Sequence, residues 1–182
     1  MEKIFEILQD AAGEKLPLDR LLAVPVDMSD PGVIEKFLEI LKNVYENRMP
    51  FNQVLGVRIE LITMEKVIVR IEKKPELVGN FEMNILHGGV ISSVIDLTGG
   101  IIIQANALRK MGNITIGDVF SNFVKMSTVD MRVDYLRPGF GDHFICTSSL
   151  VRIGNKVAAT RMEFYNDKNQ LLATGAGTYL VG

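Results

Sequence analysis

The chain has 182 residues, 47% of them hydrophobic and 23% charged, and its formal net charge at pH 7 is −2. These values fit one globular domain with a short extension, and the small negative charge gives no indication of a nucleic-acid partner. The single cysteine, Cys146, excludes an internal disulfide framework, and no group of residues has the spacing of a metal site.

The first 30 residues are expected to form an N-terminal helical extension, followed by the main domain at residues 31–182 with its core at about residues 54–181. Apolar residues at positions 4, 5, 7 and 8 could stripe a short helix before the prolines at 17, 25 and 31 interrupt the chain. Charged and apolar residues mix in the first 15 positions, which is unlike a signal peptide. We therefore expect a cytoplasmic protein.

Helical periodicity begins at Asp30 and Pro31, a pair that is typical of a helix start. From there apolar residues recur at spacings of three and four to about Glu46, which predicts an amphipathic helix. Residues 50–55 could add one more turn, which Gly56 would end.

After residue 56 the period of the apolar residues changes to two, which predicts strands at residues 57–62 and 67–72 joined as a hairpin. Residues 73–83 are expected to form a polar loop. Residues 108–127 are harder to interpret, because they fit either a loop with a short helix or the start of the next strand.

The longest apolar stretch lies within residues 84–106 and runs almost without interruption from Val90 to Ile103. It is too long for an ordinary strand, so it predicts a helix that is buried on all sides. Asp96 is the single ionisable residue in this run, and a buried carboxylate needs a partner or a function. The run has 14 residues, fewer than the roughly 20 that span a bilayer, so no membrane segment is expected.

The start of this helix is the second notable feature. Small residues follow His87 at Gly88 and Gly89, which leaves backbone N–H groups open to a ligand. The N-terminus of a helix favours anions, so the group that binds here could be an oxyanion or a phosphate. An electrophile-stabilising helix end and a buried acid on one helix together indicate an active site.

The C-terminal third predicts a meander of strands at about residues 128–136, 143–153, 156–165 and 170–181, with a two-residue turn at Gly154 and Asn155. In the first of these strands, Thr128 alternates with the apolar residues and shares a face with Asp130. The predicted class is therefore α+β, with an antiparallel sheet around one long central helix.

Three features together resemble the hotdog-fold thioesterases, and most of all the PaaI-like acyl-CoA thioesterases, over roughly residues 54–181. They are His87-Gly88-Gly89, the acid nine positions after the histidine, and the run VDMRVDYLRPG at residues 129–139. The resemblance implies a hotdog fold, an acyl-CoA substrate with coenzyme A as part of that substrate, and no cofactor. It also implies a homodimer or a dimer of dimers with active sites between subunits.

The resemblance also implies roles for individual residues. Asp96 would be the nucleophile or general base, the N–H of Gly88 would bind the thioester oxygen, and His87 would arrange that site. Thr128 would help to place the attacking water. A purely structural helix cap is the alternative for His87, and a satisfied structural polar group is the alternative for Asp96.

Further residues are expected to bind substrate. Many relatives carry an asparagine six residues before the histidine, where this chain has a phenylalanine, so Asn80 could reach the site only through a longer loop. The N–H of Gly89 could supply a second oxyanion contact. Arg137 and Lys156 are candidates for the phosphates of coenzyme A, with an ordinary surface position as the competing interpretation.

The two phenylalanines at 120 and 123 are expected to wall the acyl pocket or to cover it at the subunit interface, with simple core packing as the alternative. The distance from Gly89 to Asp96 is about 10 Å along a helix. Because the donor and the base must both approach the same carbonyl, we expect them to come from different chains.

Two other functions are compatible with this pattern. A hotdog dehydratase or hydratase for acyl thioesters would need a histidine paired with an acid, and His143 is expected on a distant strand without such a partner. A non-catalytic acyl-CoA binding protein would keep the cavity but lose the acid, which Asp96 argues against.

Overall fold

The computed structural model describes residues 17–181. The helices are α1 (Leu18–Leu22), α2 (Pro31–Asn47), α3 (Pro50–Leu55), α4 (Gly88–Lys110) and α5 (Ile116–Lys125). The strands are β1 (Pro25–Asp27), β2 (Arg58–Ile62), β3 (Val67–Glu72), β4 (Val78–Asn80), β5 (Ile85–Leu86), β6 (Asn113–Thr115), β7 (Ser127–Tyr135), β8 (His143–Ile153), β9 (Val157–Asn166) and β10 (Leu171–Leu180). A 3₁₀ turn covers Pro75–Leu77.

Six antiparallel strands form one sheet in the order β2-β3-β8-β9-β10-β7, and α4 lies against one face of it. The predicted antiparallel sheet around a central helix is thereby confirmed. The expected meander is correct for β8, β9 and β10 only. β7 precedes β8 along the chain but pairs with β10 at the far edge, because residues 136–142 carry the chain across the sheet end. Strand patterns show where strands occur, whereas this crossing depends on tertiary packing.

The central helix is longer than the apolar run that predicted it. It has 23 residues, and its last turn carries Arg109 and Lys110, whose positive charges favour the C-terminal end of the helix dipole. Its length and mean hydropathy of 1.4 would suffice to cross a bilayer. Here the helix packs against β3, β7, β8, β9 and β10, so it is the core helix of the sheet.

The main core lies between α4 and the sheet. Phe144 and Phe164 stack there with ring centroids 5.6 Å apart, and both are fully buried. Close approach requires small residues on β10, since a Cβ at Gly175 would collide with the side chain of Ile95. Cys146 is also fully buried, and burial raises the pKa of its thiol to about 12, so it is an inert core residue.

A second, smaller core joins α1, α2 and α5 beside the C-terminal end of α4. Its centre includes the fully buried Leu21, Met28 and Leu108. β1 pairs with β6, so residues 17–30 are built into the fold instead of standing apart. The helical stripe expected at residues 4–8 lies outside the described residues. α5 confirms the short-helix interpretation of residues 108–127, and its start is held by a capping box between Thr115 and Asp118.

Part of the expected polar loop at residues 73–83 is ordered as the 3₁₀ turn and β4, which pairs with β5 just before α4. This hairpin sets the start of the central helix. A Cβ at Gly79 would collide with His87, so the hairpin lies directly against the residue that caps α4.

Candidate active site

Asp96 lines a cavity of about 290 Å³, which lies between α4, the α2–α3 segment, the start of β7 and the end of β10. One face of α4 lines this cavity. We call it the cavity stripe, and it consists of Ser93, Asp96, Leu97, Gly100, Ile103 and Gln104. Asp96 is half-buried in this structure. The prediction that the helix is buried on all sides is therefore wrong along this stripe, because residues at such spacing share one helix face and that face is open.

A hydrogen bond of 2.9 Å joins Thr128 and Asp96, with the Thr128 Oγ1 hydroxyl donating to Oδ1. The alternation of β7 would turn Thr128 to the outer face, but the pairing with β10 passes from Asp130 directly to Thr128. Val129 is therefore an extra residue, a β-bulge that reverses the alternation and turns Thr128 towards α4. Bulges often redirect a side chain beside a functional site.

Two tyrosines flank the same carboxylate from the protein interior. The Tyr179 hydroxyl donates to the backbone carbonyl of Asp96 across 3.0 Å, and Tyr45 lines the same cavity. Burial, and then the negative charge of Asp96, raise the pKa of both phenols. Both tyrosines consequently remain protonated and neutral at ordinary pH.

The glycine pair in the middle of α4 makes room for these rings. A Cβ at Gly99 would collide with the Tyr179 hydroxyl, whereas one at Gly100 would make only an ordinary contact, 3.7 Å from the Tyr45 hydroxyl. Close packing therefore explains the glycine at position 99, despite its cost of about 1 kcal/mol in a helix interior.

The start of α4 is capped by its own histidine. Nδ1 of His87 accepts a hydrogen bond of 2.8 Å from the N–H of Gly89, so this N–H is not available as a second oxyanion donor. The N–H of Gly88 has no acceptor among residues 17–181, whereas the Gly88 carbonyl accepts from the Tyr135 hydroxyl across 2.9 Å. The expected donor at Gly88 therefore has no partner among the described residues. His87 does cap the helix, and its expected role in arranging the oxyanion site stays a prediction.

Gly88 and Asp96 are not brought together within one chain. They lie eight residues apart on a continuous helix, a rise of about 12 Å. They also sit at opposite ends of β7, because Gly88 contacts Tyr135 and Asp96 contacts Thr128. Within one chain, the carboxylate of Asp96 and the N–H of Gly88 are thus too far apart to contact one carbonyl group.

The remaining residues expected to bind substrate lie outside the cavity. The Asn80 side chain accepts from the N–H of Met83 in the turn between β4 and β5. Arg137 donates to the carbonyl of Leu171 near the start of α4. Lys156 lies at the other end of the sheet, in the turn between β8 and β9, so the structure does not place the two cations in one site.

The two phenylalanines of α5 also differ from their expected place. Phe120 packs on the second core and Phe123 on both cores, and neither lines the cavity beside Asp96 within one chain. Their expected place at the subunit interface stays a prediction. Met126, which follows α5, does line the cavity.

Sequence reasoning missed Tyr45, Gln104 and Tyr179. Tyr45 was assigned only to the apolar stripe of α2, Tyr179 only to the last strand, and Gln104 lies beyond the apolar run. The spacing of Gln104 from Asp96 along α4 was the signal that could have identified it. Within the described part of the chain, no three histidine, cysteine or carboxylate side chains form a group that could hold a metal ion.

Comparison with known proteins agrees with this fold. The family model described as the thioesterase superfamily matches residues 83–173. The medium/long-chain acyl-CoA thioesterase YigI of Escherichia coli K12 is 40% identical over 126 residues, which cover 68% of this chain and 81% of YigI. The chain belongs to the thioesterase superfamily. The prediction that it is a hydrolase acting on thioester bonds is thereby confirmed.

Solved structures show the same relationship. A Shewanella oneidensis protein related to the thioesterase superfamily has a TM-score of 0.80 and 40% identity, covering 85% of this chain and 100% of its own. A crystal structure from Syntrophus aciditrophicus has a TM-score of 0.73 and 36% identity, covering 81% of this chain and 97% of its own. Zebrafish thioesterase superfamily member 2, at 19% identity and a TM-score of 0.62, shares the fold across 80% of this chain and 98% of its own.

Proposed function

We propose that this protein hydrolyses acyl-CoA thioesters to a free acid and coenzyme A. The observation that carries the proposal is the pairing of Asp96 with Thr128 at the mouth of a largely apolar cavity. An apolar cavity with a few convergent polar groups is the usual form of a small-molecule site. The name of YigI, a medium/long-chain acyl-CoA thioesterase, supports the substrate class.

In this proposal Asp96 acts as the nucleophile or as the general base for water. Thr128 donates to one carboxylate oxygen and leaves the other, Oδ2, without a hydrogen-bond partner among the described residues. If water attacks, Asp96 takes its proton as the carbonyl carbon is attacked, and the C–S bond then breaks to release thiolate. Because a thiolate leaves readily, the site needs no strong general acid.

The N–H of Gly88 is proposed to donate to the carbonyl oxygen, whose negative charge grows during the attack. A single donor of this kind contributes about 3–4 kcal/mol of transition-state stabilisation in other acyl-transfer enzymes. The N-terminal end of α4 adds its partial positive charge at the same place. The cap formed by His87 fixes the helix start and so positions the adjacent donor.

A homodimer would bring these two groups together. β7 is an edge strand of the described sheet, and its exposed side chains include Val129 and Tyr135. Antiparallel pairing of two copies of β7 about an axis between Met131 and Arg132 would place Thr128 opposite Tyr135 of the partner subunit. Asp96 of one chain would then lie near the helix start of the other.

The alternatives have less support. A dehydratase or hydratase would need a histidine close to the acid, and no histidine lines the cavity of the described chain. His143 begins β8 and pairs in register with Glu72 on β3, away from Asp96. A non-catalytic binding protein would have no use for the hydrogen-bonded carboxylate.

The test is hydrolysis of a panel of acyl-CoA substrates, which is measured by the release of the free thiol of coenzyme A. The wild-type protein is expected to hydrolyse them, and Asp96→Asn should lower kcat by orders of magnitude while keeping the fold. Asp130→Asn, on the outer face of β7, is the matched control and should retain activity. Wild-type turnover by the Asp96→Asn variant would contradict the assignment of Asp96.

A further inference from the structure

The Asp96 cavity runs along α4 and changes character from one end to the other. Ser93 and Asp96 make its first end polar, whereas Leu97, Gly100 and Ile103 make the middle of the stripe apolar. Met49, Phe51 and Met126 face this apolar part from the other side. An acyl chain whose carbonyl lies at Asp96 would therefore run towards the C-terminal end of α4.

Gln104 ends this stripe, and its side chain is unusual. Its Oε1 is buried without a hydrogen-bond donor, and it is the one such side-chain atom among residues 17–181. The amide lies beside the buried hydroxyl of Tyr45. Buried polar atoms are normally satisfied, so the amide of Gln104 and the hydroxyl of Tyr45 make this end of the stripe a polar wall that an alkyl chain covers at a cost.

We propose that Gln104 sets the upper limit of the acyl-chain length that this site accepts. The inference rests on the proposed function, because it takes the carbonyl to lie at Asp96. Gln104 lies eight residues further along α4, a rise of about 12 Å. A zigzag chain advances by about 1.25 Å per carbon, since a C–C bond is about 1.5 Å long, so roughly nine or ten carbons reach the amide.

The effect of acyl-chain length on binding affinity then differs below and above this limit. Up to about ten carbons, each buried methylene raises affinity by roughly threefold to fourfold. A longer chain presses methylenes against the amide, and this contact buries a polar group against hydrocarbon without giving it a new hydrogen-bond partner. Longer chains therefore gain little or lose affinity.

The experiment compares the wild-type protein with Gln104→Leu and with Gln104→Met, which removes the amide without branching. Binding of uncleavable S-alkyl-CoA thioethers from six to sixteen carbons is measured by calorimetry, and hydrolysis of the matching acyl-CoA series is measured separately. Wild-type affinity should rise to about ten carbons and then level off or fall. Both variants should continue to rise, with a gain over wild type of about tenfold at fourteen carbons.

Gln53→Leu, which replaces an exposed glutamine on α3 outside the cavity, is the matched control and should keep the wild-type profile. Six-carbon affinity should stay within about twofold in all variants, because so short a chain ends before the amide. Unchanged chain-length profiles in both Gln104 variants would overturn the inference, as would weaker six-carbon binding in both. Binding with the expected profile but no hydrolysis would contradict the proposed function alone.

Discussion

The Thr128 hydroxyl donates to Oδ1 of Asp96 across 2.9 Å, although regular strand alternation would turn these residues away from each other. The bulge at Val129 produces the contact, and pairing of Thr128 with Tyr179 of β10 fixes it. A carboxyl group that accepts a hydrogen bond from a fixed hydroxyl gains a defined orientation. This relationship gives the first prediction.

Thr128→Val removes the hydroxyl and keeps the shape of the side chain, whereas Thr128→Ser keeps the hydroxyl. A hydrogen bond to a charged group contributes about 1.5–3 kcal/mol, so kcat/KM for acyl-CoA should fall about tenfold to a hundredfold in the valine variant. The serine variant should remain within a few-fold of wild type. Equal activity of the valine and serine variants would show that the hydroxyl does not position Asp96. Unfolding experiments should show little change in stability, because Thr128 is exposed.

The sequence predicted the parts of this fold that depend on local patterns. Period-two alternation located β8 at the observed residues 143–153, and the glycine start and apolar run located α4. The pairing of β7 with β10 was not predictable in this way, because the residue pattern of a strand does not specify which strand it pairs with. The bulge at Val129 was invisible for a similar reason, since it depends on the register with β10.

Candidate site residues could be predicted where the residue type is unusual for its position in the sequence. A lone acid in an apolar helix identified Asp96, and the small residues after His87 identified the free N–H of Gly88. Gln104 was missed because a glutamine near a helix end is ordinary in sequence. Its unpaired oxygen becomes evident only when the neighbouring side chains are placed.

The oxyanion role of Gly88 can be tested by removing its N–H. Gly88 is the first residue of α4, where proline fits a helix, and His87 has φ −66° and ψ 135°, which suits the residue before a proline. Gly88→Pro should therefore fold and lose about 10²–10³-fold in kcat, measured with saturating acyl-CoA.

Gly88→Ala is the control, because it keeps the N–H and its Cβ would lie 3.5 Å from the Tyr135 ring, an ordinary contact. It should retain most of the activity. If the alanine and proline variants lose activity to the same extent, the loss comes from added bulk, and the N–H is not the donor.

Phe120 is predicted to stabilise the fold without affecting chain selection. It is partly buried in the second core and does not line the cavity. Phe120→Ala should lower the free energy of unfolding by about 2 kcal/mol, less than the 3–5 kcal/mol of a fully buried phenylalanine. Denaturant unfolding and the acyl-CoA panel together measure both effects.

Val124→Ala on the same helix is the control for this change. Val124 is 84% exposed, so its removal should alter stability by no more than about 0.5 kcal/mol. A changed ranking of acyl-CoA substrates in Phe120→Ala would restore the pocket-wall role for this residue.

The two-chain site predicts that two inactive variants regain activity when mixed. Asp96→Asn lacks the base, and Gly88→Pro lacks the donor. If each site takes Asp96 from one chain and Gly88 from the other, a mixed dimer contains one intact site and one doubly damaged site. Complete exchange of equal amounts gives about half mixed dimers, so about a quarter of all sites should recover.

Exchange must be shown independently, for example by native mass spectrometry of differently tagged chains. Each variant mixed with itself is the control and should stay inactive. The expected recovery follows from the separation on α4: Asp96 and Gly88 lie about 12 Å apart along one rigid helix, whereas a reacting carbonyl needs both within about 3 Å. An inactive mixture with proven exchange would mean that one chain brings both groups to the carbonyl, which requires α4 to bend or unwind between Gly88 and Asp96.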